Sequence, residues 1–173
     1  KKSNKKFKNI LVCGLGGSGI GGTIVSDIVS SNISIPILTT KDYTIPGFVD
    51  NNTLVIVSSY SGNTEETISA LKKCLRKKAE ICIITSGGEL KKLAKKNSFN
   101  YIEIPAGHPP RAMFGYAFTE LFYVLYYYGI IDNSFLSDFK KSIELLNSEG
   151  ASIRKKAKEI AKKIHKTKPV IYV

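Results

Sequence analysis

The stretch SSYSGNTEET, residues 58–67, packs three serines, one threonine, an asparagine and a glycine into its first seven positions, directly after the apolar run LVIV. Hydroxyls on Ser59, Ser61 and Thr64 are hydrogen-bond donors of the kind that surround an oxyanion. Asn63 and Glu66 stand at N-cap and N3 spacing, so a helix is expected to begin here. A helix start offers unpaired backbone N–H groups and a partial positive charge. Together these features make a phosphate cradle that needs no lysine. The same residues also suit a well-capped turn with no ligand, and at this level both readings stand.

Two other loops share the style. CGLGGSGIGG, residues 13–22, lets the backbone at Gly16 and Gly17 approach a ligand closely, with Ser18 at a helix start. GxGxxG is matched at Gly14, Gly16 and Gly19, but a dinucleotide site wants an acid at the end of the second strand, and Asp42 fits that place poorly. The alternative is a tight turn with close helix packing. TSGGEL, residues 85–90, repeats the logic, with Ser86 expected to cap a helix and Gly87 and Gly88 to turn. It lines a site or is a plain turn. The P-loop pattern GxxxxGK[ST] is absent, which argues against nucleotide hydrolysis.

The elements that position these loops are short apolar runs alternating with amphipathic segments. Strands are expected at 9–13, 33–39, 53–58, 80–85 and 100–104, all rich in Ile and Val. Near-continuous apolarity suits strands covered on both faces. Helices are expected at 18–30, 64–77, 89–96, 112–128, 138–146 and 152–166. The pattern is α/β: a doubly wound, five-stranded parallel sheet flanked by helices. A basic segment, 1–8, precedes the main domain, 9–150. Residues 151–173 form a linking helix and, in KPVIYV, the opening strand of a second similar domain, or else an edge strand of the same sheet.

Bulk composition narrows the classes of function. No run of 18 apolar residues exists, so no membrane-spanning helix is expected, and the basic N-terminus lacks a signal-peptide core. Net charge is +12, yet only Arg76, Arg111 and Arg154 are arginines, and the lysines spread over exposed helix faces without interleaved aromatics. That argues against nucleic acid. Cys13, Cys74 and Cys82 form no CxxC pair and no metal-ligand cluster, so they read as free thiols in a reducing cytoplasm, with no metal and no cofactor.

GLGGSGIGG, SSYSGNTEET, SGG and PPRAMFGYAF, in that order, resemble the sugar isomerase (SIS) domain, and in particular the N-terminal half of the bifunctional phosphoglucose/phosphomannose isomerases. The resemblance implies that Gly16, Gly17 and Ser18 line a sugar site and that Ser59, Ser61 and Thr64 hold its phosphate. It also implies that Arg111 is catalytic, facing the reacting carbons and stabilising an enediolate. The implied substrate is a hexose 6-phosphate, isomerised between aldose and ketose. The family's glutamate base and ring-opening histidine belong to a second SIS domain, and His108, His165, Glu65, Glu66 and Glu120 match neither. A homodimer is implied, with the apolar 112–128 helix at its interface. The alternative is a non-catalytic phosphosugar sensor.

Overall fold

The computed structural model describes residues 5–170. Two compact units follow one another, the first ending at Asp132 and the second beginning at Asn133. The first holds β1 (Asn9–Cys13), α1 (Gly17–Val29), β2 (Ile37–Thr40), β3 (Thr53–Ser59), α2 (Glu65–Arg76), β4 (Glu80–Thr85), α3 (Gly88–Asn97), β5 (Asn100–Glu103), a 3-10 turn (Pro110–Met113) and α4 (Phe114–Tyr127). The second is one helix, α5 (Phe135–Ile164).

All five strands are parallel, in the order β2-β1-β3-β4-β5. The expected sheet is therefore observed. Every residue of β3 is buried, as a central strand covered on both faces must be. Alternation along the strands divides the core. Leu11, Cys13, Val55, Val57, Ile81 and Ile83 join Leu71 and Cys74 of α2 and Leu90 and Ala94 of α3 in one cluster. Residues 10, 12, 54, 56, 82 and 84 point the other way, towards α1 and α4. There Gly22 lets α1 sit close to the sheet, since a Cβ at that position would lie 2.7 Å from Val12 Cγ1.

Three expectations change. β2 starts at Ile37 rather than at residue 33, because Pro36 has no N–H to give a ladder; its carbonyl instead accepts from the Ile10 N–H at 2.9 Å. The expected 112–128 helix opens as a 3-10 turn with Pro110 in its first positions and becomes α-helical at Phe114. The two helices expected on either side of Gly150 are one helix of 30 residues. An interior glycine costs only about 1 kcal/mol relative to alanine, and favourable flanking residues carry the helix through it. Of the expected terminal strand, residues 168–170 carry no strand pairing and residues 171–173 lie outside the described residues.

The three cysteines are free and buried. Cys13 and Cys74 meet in the core, and their mutual hydrogen bond, helped by burial, raises the Cys13 thiol well above its usual value. Burial pushes the Cys82 thiol up to about 12. Only the thiolate is nucleophilic. The bond from Cys13 lowers the Cys74 thiol, so there burial alone is the protection. All three thiols are expected to ignore a disulfide reagent such as DTNB at pH 8 in the folded protein and to react in denaturant. For Cys82 the loss of thiolate alone slows reaction on the order of a thousandfold. Fast modification of a folded sample would contradict this packing.

Candidate functional site

Strand order reverses between β1 and β3, and the carboxyl ends of the strands at such a reversal are the usual ligand position in an open parallel sheet. The loops leaving these two strands are the glycine loop and the serine loop. They touch through backbone, since a Cβ on Gly14 would lie 2.9 Å from the Ser58 carbonyl oxygen; on its other side Gly14 donates its N–H to the carbonyl of Thr40, the last residue of β2, at 3.1 Å. Gly16 is the N-cap of α1. Gly16 and Gly17 are exposed, with open space where a side chain would project, and Ser18 is half-buried in the first turn.

The serine loop is tightly wired. Ser59 Oγ lies 2.8 Å from Thr64 Oγ1 and accepts from the Gly62 N–H at 3.2 Å. Ser61 Oγ accepts from the Asn63 N–H at 3.2 Å. Proton bookkeeping then leaves donors over. One hydroxyl proton is spent between Ser59 and Thr64, whichever donates, so the other is free. The Ser61 proton is a second free donor. Thr64 is the N-cap of α2 in an extended conformation, and its hydroxyl, engaged with Ser59, does not cap the helix. The first N–H groups of α2 therefore add to the donor set. Thr67, in that first turn, is buried with its hydroxyl unpaired, a feature that no local pattern signals.

Two expected caps are replaced by longer-range bonds. Asn63 does not form a capping box with Glu66; its Oδ1 accepts from the Glu89 N–H at 2.9 Å and so caps α3, whose N-cap residue is Gly87. Ser86 does not cap α3 either. Its hydroxyl and its N–H both donate to the Tyr60 carbonyl, at 2.6 and 3.1 Å. Leu90 N–H donates to the Gly62 carbonyl at 3.0 Å. Gly62 has φ +68°, and a Cβ there would collide with the Gly87 carbonyl oxygen. TSGG is thus the brace of the serine loop.

Arg111 sits on the 3-10 turn, exposed and, among the described residues, without an ion pair. Its segment is tied to the serine loop by Tyr60, whose hydroxyl accepts from the His108 N–H at 3.0 Å. Sequence reasoning missed this link; a tyrosine inside a run of serines was its one signal. Glu65 is engaged by the Tyr43 hydroxyl at 3.4 Å, and the Lys73 ammonium donates to the Tyr43 carbonyl at 2.8 Å, so the loop after β2 packs on α2. Burial raises the Glu120 carboxyl on α4.

The SIS domain family profile matches residues 5–127. The chain belongs to the SIS family. It is 40% identical over 172 residues to the bifunctional phosphoglucose/phosphomannose isomerase of Caldicellulosiruptor bescii, covering 94% of this chain and 50% of the relative. The enzyme of the same name from Aquifex aeolicus is 37% identical over 167 residues, covering 96% and 50%. The chain therefore spans about half the length of these curated relatives. A D-glucosamine-6-phosphate 4-epimerase of Sulfolobus acidocaldarius is 34% identical over 122 residues, 70% of this chain and 38% of the relative. The fold is shared with a solved structure from Clostridium difficile 630, TM-score 0.68 at 20% identity over 93% of this chain and 49% of that one. It is also shared with tagatose-6-phosphate ketose/aldose isomerase of Escherichia coli, TM-score 0.62 at 19% identity over 85% and 44%.

Gly62→Ala is expected to be the most costly single methyl in the site, because it adds left-handed strain to a backbone collision. A loss of about 2 kcal/mol or more is expected in urea unfolding. Tyr60→Phe keeps the ring and removes one hydrogen bond, for about 1 kcal/mol. An unchanged midpoint for Gly62→Ala would mean that the two loops do not meet as described.

Proposed function

We propose that this chain is the phosphosugar-binding half of an aldose–ketose isomerase that interconverts glucose 6-phosphate or mannose 6-phosphate with fructose 6-phosphate. The observation that carries the reading is the meeting of the glycine and serine loops at the strand reversal, with two unspent hydroxyl protons beside the start of α2. The names of the relatives support it.

In this reading the phosphate takes the free hydroxyl protons of the Ser59–Thr64 pair and Ser61 and the first N–H groups of α2. Gly16, Gly17 and Ser18 line the sugar. Proton transfer between C2 and C1 passes through a cis-enediolate whose negative charge gathers on O1 and O2. Arg111 is the catalytic residue that stabilises that charge, since a guanidinium stays cationic at any working pH. The base that moves the proton and the group that opens the ring come from a second SIS domain. The working enzyme is a cytoplasmic homodimer in sugar-phosphate metabolism, the exchange that joins glycolysis and gluconeogenesis. It uses no metal or other cofactor.

Calorimetric titration of the 173-residue chain with fructose 6-phosphate tests this directly. The parent is expected to bind, and Ser59→Ala/Ser61→Ala to bind about 100-fold more weakly, since each charge-assisted hydrogen bond is worth about 1.5–3 kcal/mol. The chain alone is expected to show negligible turnover. In a protein that includes the second domain, Arg111→Ala is expected to lower kcat with little change in phosphate affinity. Equal binding by parent and double variant would remove the phosphate from this loop. Binding without turnover even in that longer protein would favour a sensor.

A further inference from the structure

The turn after β2 belongs to neither loop of the proposed sugar site, yet it is tied to both. Thr40, which ends β2, accepts the Gly14 N–H of the glycine loop at 3.1 Å. Its hydroxyl donates to the Thr44 carbonyl at 3.1 Å and closes the turn. Farther along, the Tyr43 hydroxyl reaches Glu65, the first residue of α2, at 3.4 Å, and the Tyr43 carbonyl accepts from the Lys73 ammonium at 2.8 Å. A segment held at both ends in this way presents Lys41 at a fixed place. The Lys41 stem lies along the first turn of α1, its Cγ 3.2 Å from where a Cβ on Gly19 would be.

The fold gains nothing from this charge. Lys41 is exposed and, among the described residues, has no ion pair. The carboxylate beside it, Asp42, is turned to the Tyr43 N–H at 2.5 Å. The first turn of α1 holds no acid, and a cation beside a helix N-terminus works against the helix dipole. Topology says what such a group can read. In a doubly wound sheet the residue near the end of the second strand meets the part of the ligand that lies over the glycine loop. An acid there takes a hydroxyl, and a cation there takes a phosphate. Here the residue that ends its stem on α1 is Lys41 rather than Asp42.

We propose that Lys41 is the capture residue of the sugar-phosphate site, a cation fixed on its rim that draws the doubly charged ester towards the glycine and serine loops. The neutral hydroxyls hold the phosphate once it is seated; Lys41 brings it there. A free hexose, without the phosphate, gains nothing from this cation. The inference rests on the phosphosugar reading above and adds to it a group that acts on binding and leaves the chemical step alone, since the phosphate keeps its charge throughout.

The test is titration of the 173-residue chain with fructose 6-phosphate at two salt concentrations. Lys41→Met keeps the stem on Gly19 and removes the charge. It is expected to bind about fivefold more weakly at low ionic strength. In about 0.5 M salt the difference should shrink to less than about twofold, because screening removes a field and spares a packing contact. Lys41→Arg is expected to stay within about twofold of the parent, as only the charge is needed. Lys95→Met, at an equally exposed lysine in the last turn of α3, is the control and should bind like the parent. Equal binding by parent and Lys41→Met would overturn the inference and leave the phosphate reading standing, as would a loss that salt does not change or one that Lys95→Met shares. A parent that does not bind fructose 6-phosphate would remove the phosphate reading and this inference with it.

Discussion

The first unit depends on backbone meeting backbone at the carboxyl end of the sheet. Gly14 lies against the Ser58 carbonyl, Gly62 against the Gly87 carbonyl and Gly88 against Ser61. No side chain fits between these pairs, so each loop is placed by its neighbour rather than by its own turn chemistry. The bonds from Glu89 to Asn63, from Ser86 to Tyr60 and from Leu90 to Gly62 then lock the loops after β3 and β4 into one body. The small residues have a common cause. The loops converge where β1 and β3 part, and small residues are what let three chain segments approach so closely there.

Much of this was legible in the sequence because parallel strands buried on both faces read as continuous apolar runs, and because glycine-rich loops after them stand out. The five strands, their order of appearance and the three converging loops all come from such local signals. The hydrogen-bond wiring does not. Asn63 and Glu66 have the spacing of a capping box, yet Asn63 finds a donor 26 residues away, at Glu89. The Tyr60 hydroxyl finds its donor 48 residues away, at His108. A local pattern reports what a side chain could do within its own turn, whereas tertiary contact decides which of several partners wins. Gly150 is a similar case. As a single residue it signals a break, but the apolar repeat on both sides of it has one phase, and phase is the better guide to a continuous helix.

The division of charge across the first unit follows from what each part is asked to do in the proposed reaction. A phosphate carries the same charge in the substrate and in the transition state, so a cation bound to it would stabilise both alike and leave the rate of the chemical step unchanged. Neutral hydroxyls and a helix start are sufficient to hold it. Charge on O1 and O2 is different, because it appears only on the way to the enediolate, and a permanent cation there acts on the barrier itself. Arg111 is carried by a separate segment, joined to the serine loop through the Tyr60–His108 bond. In the proposed reaction that bond sets the distance between the phosphate end and the reacting end of the substrate. Its removal should be felt in the alignment of the reacting carbons before it is felt in the grip on the phosphate.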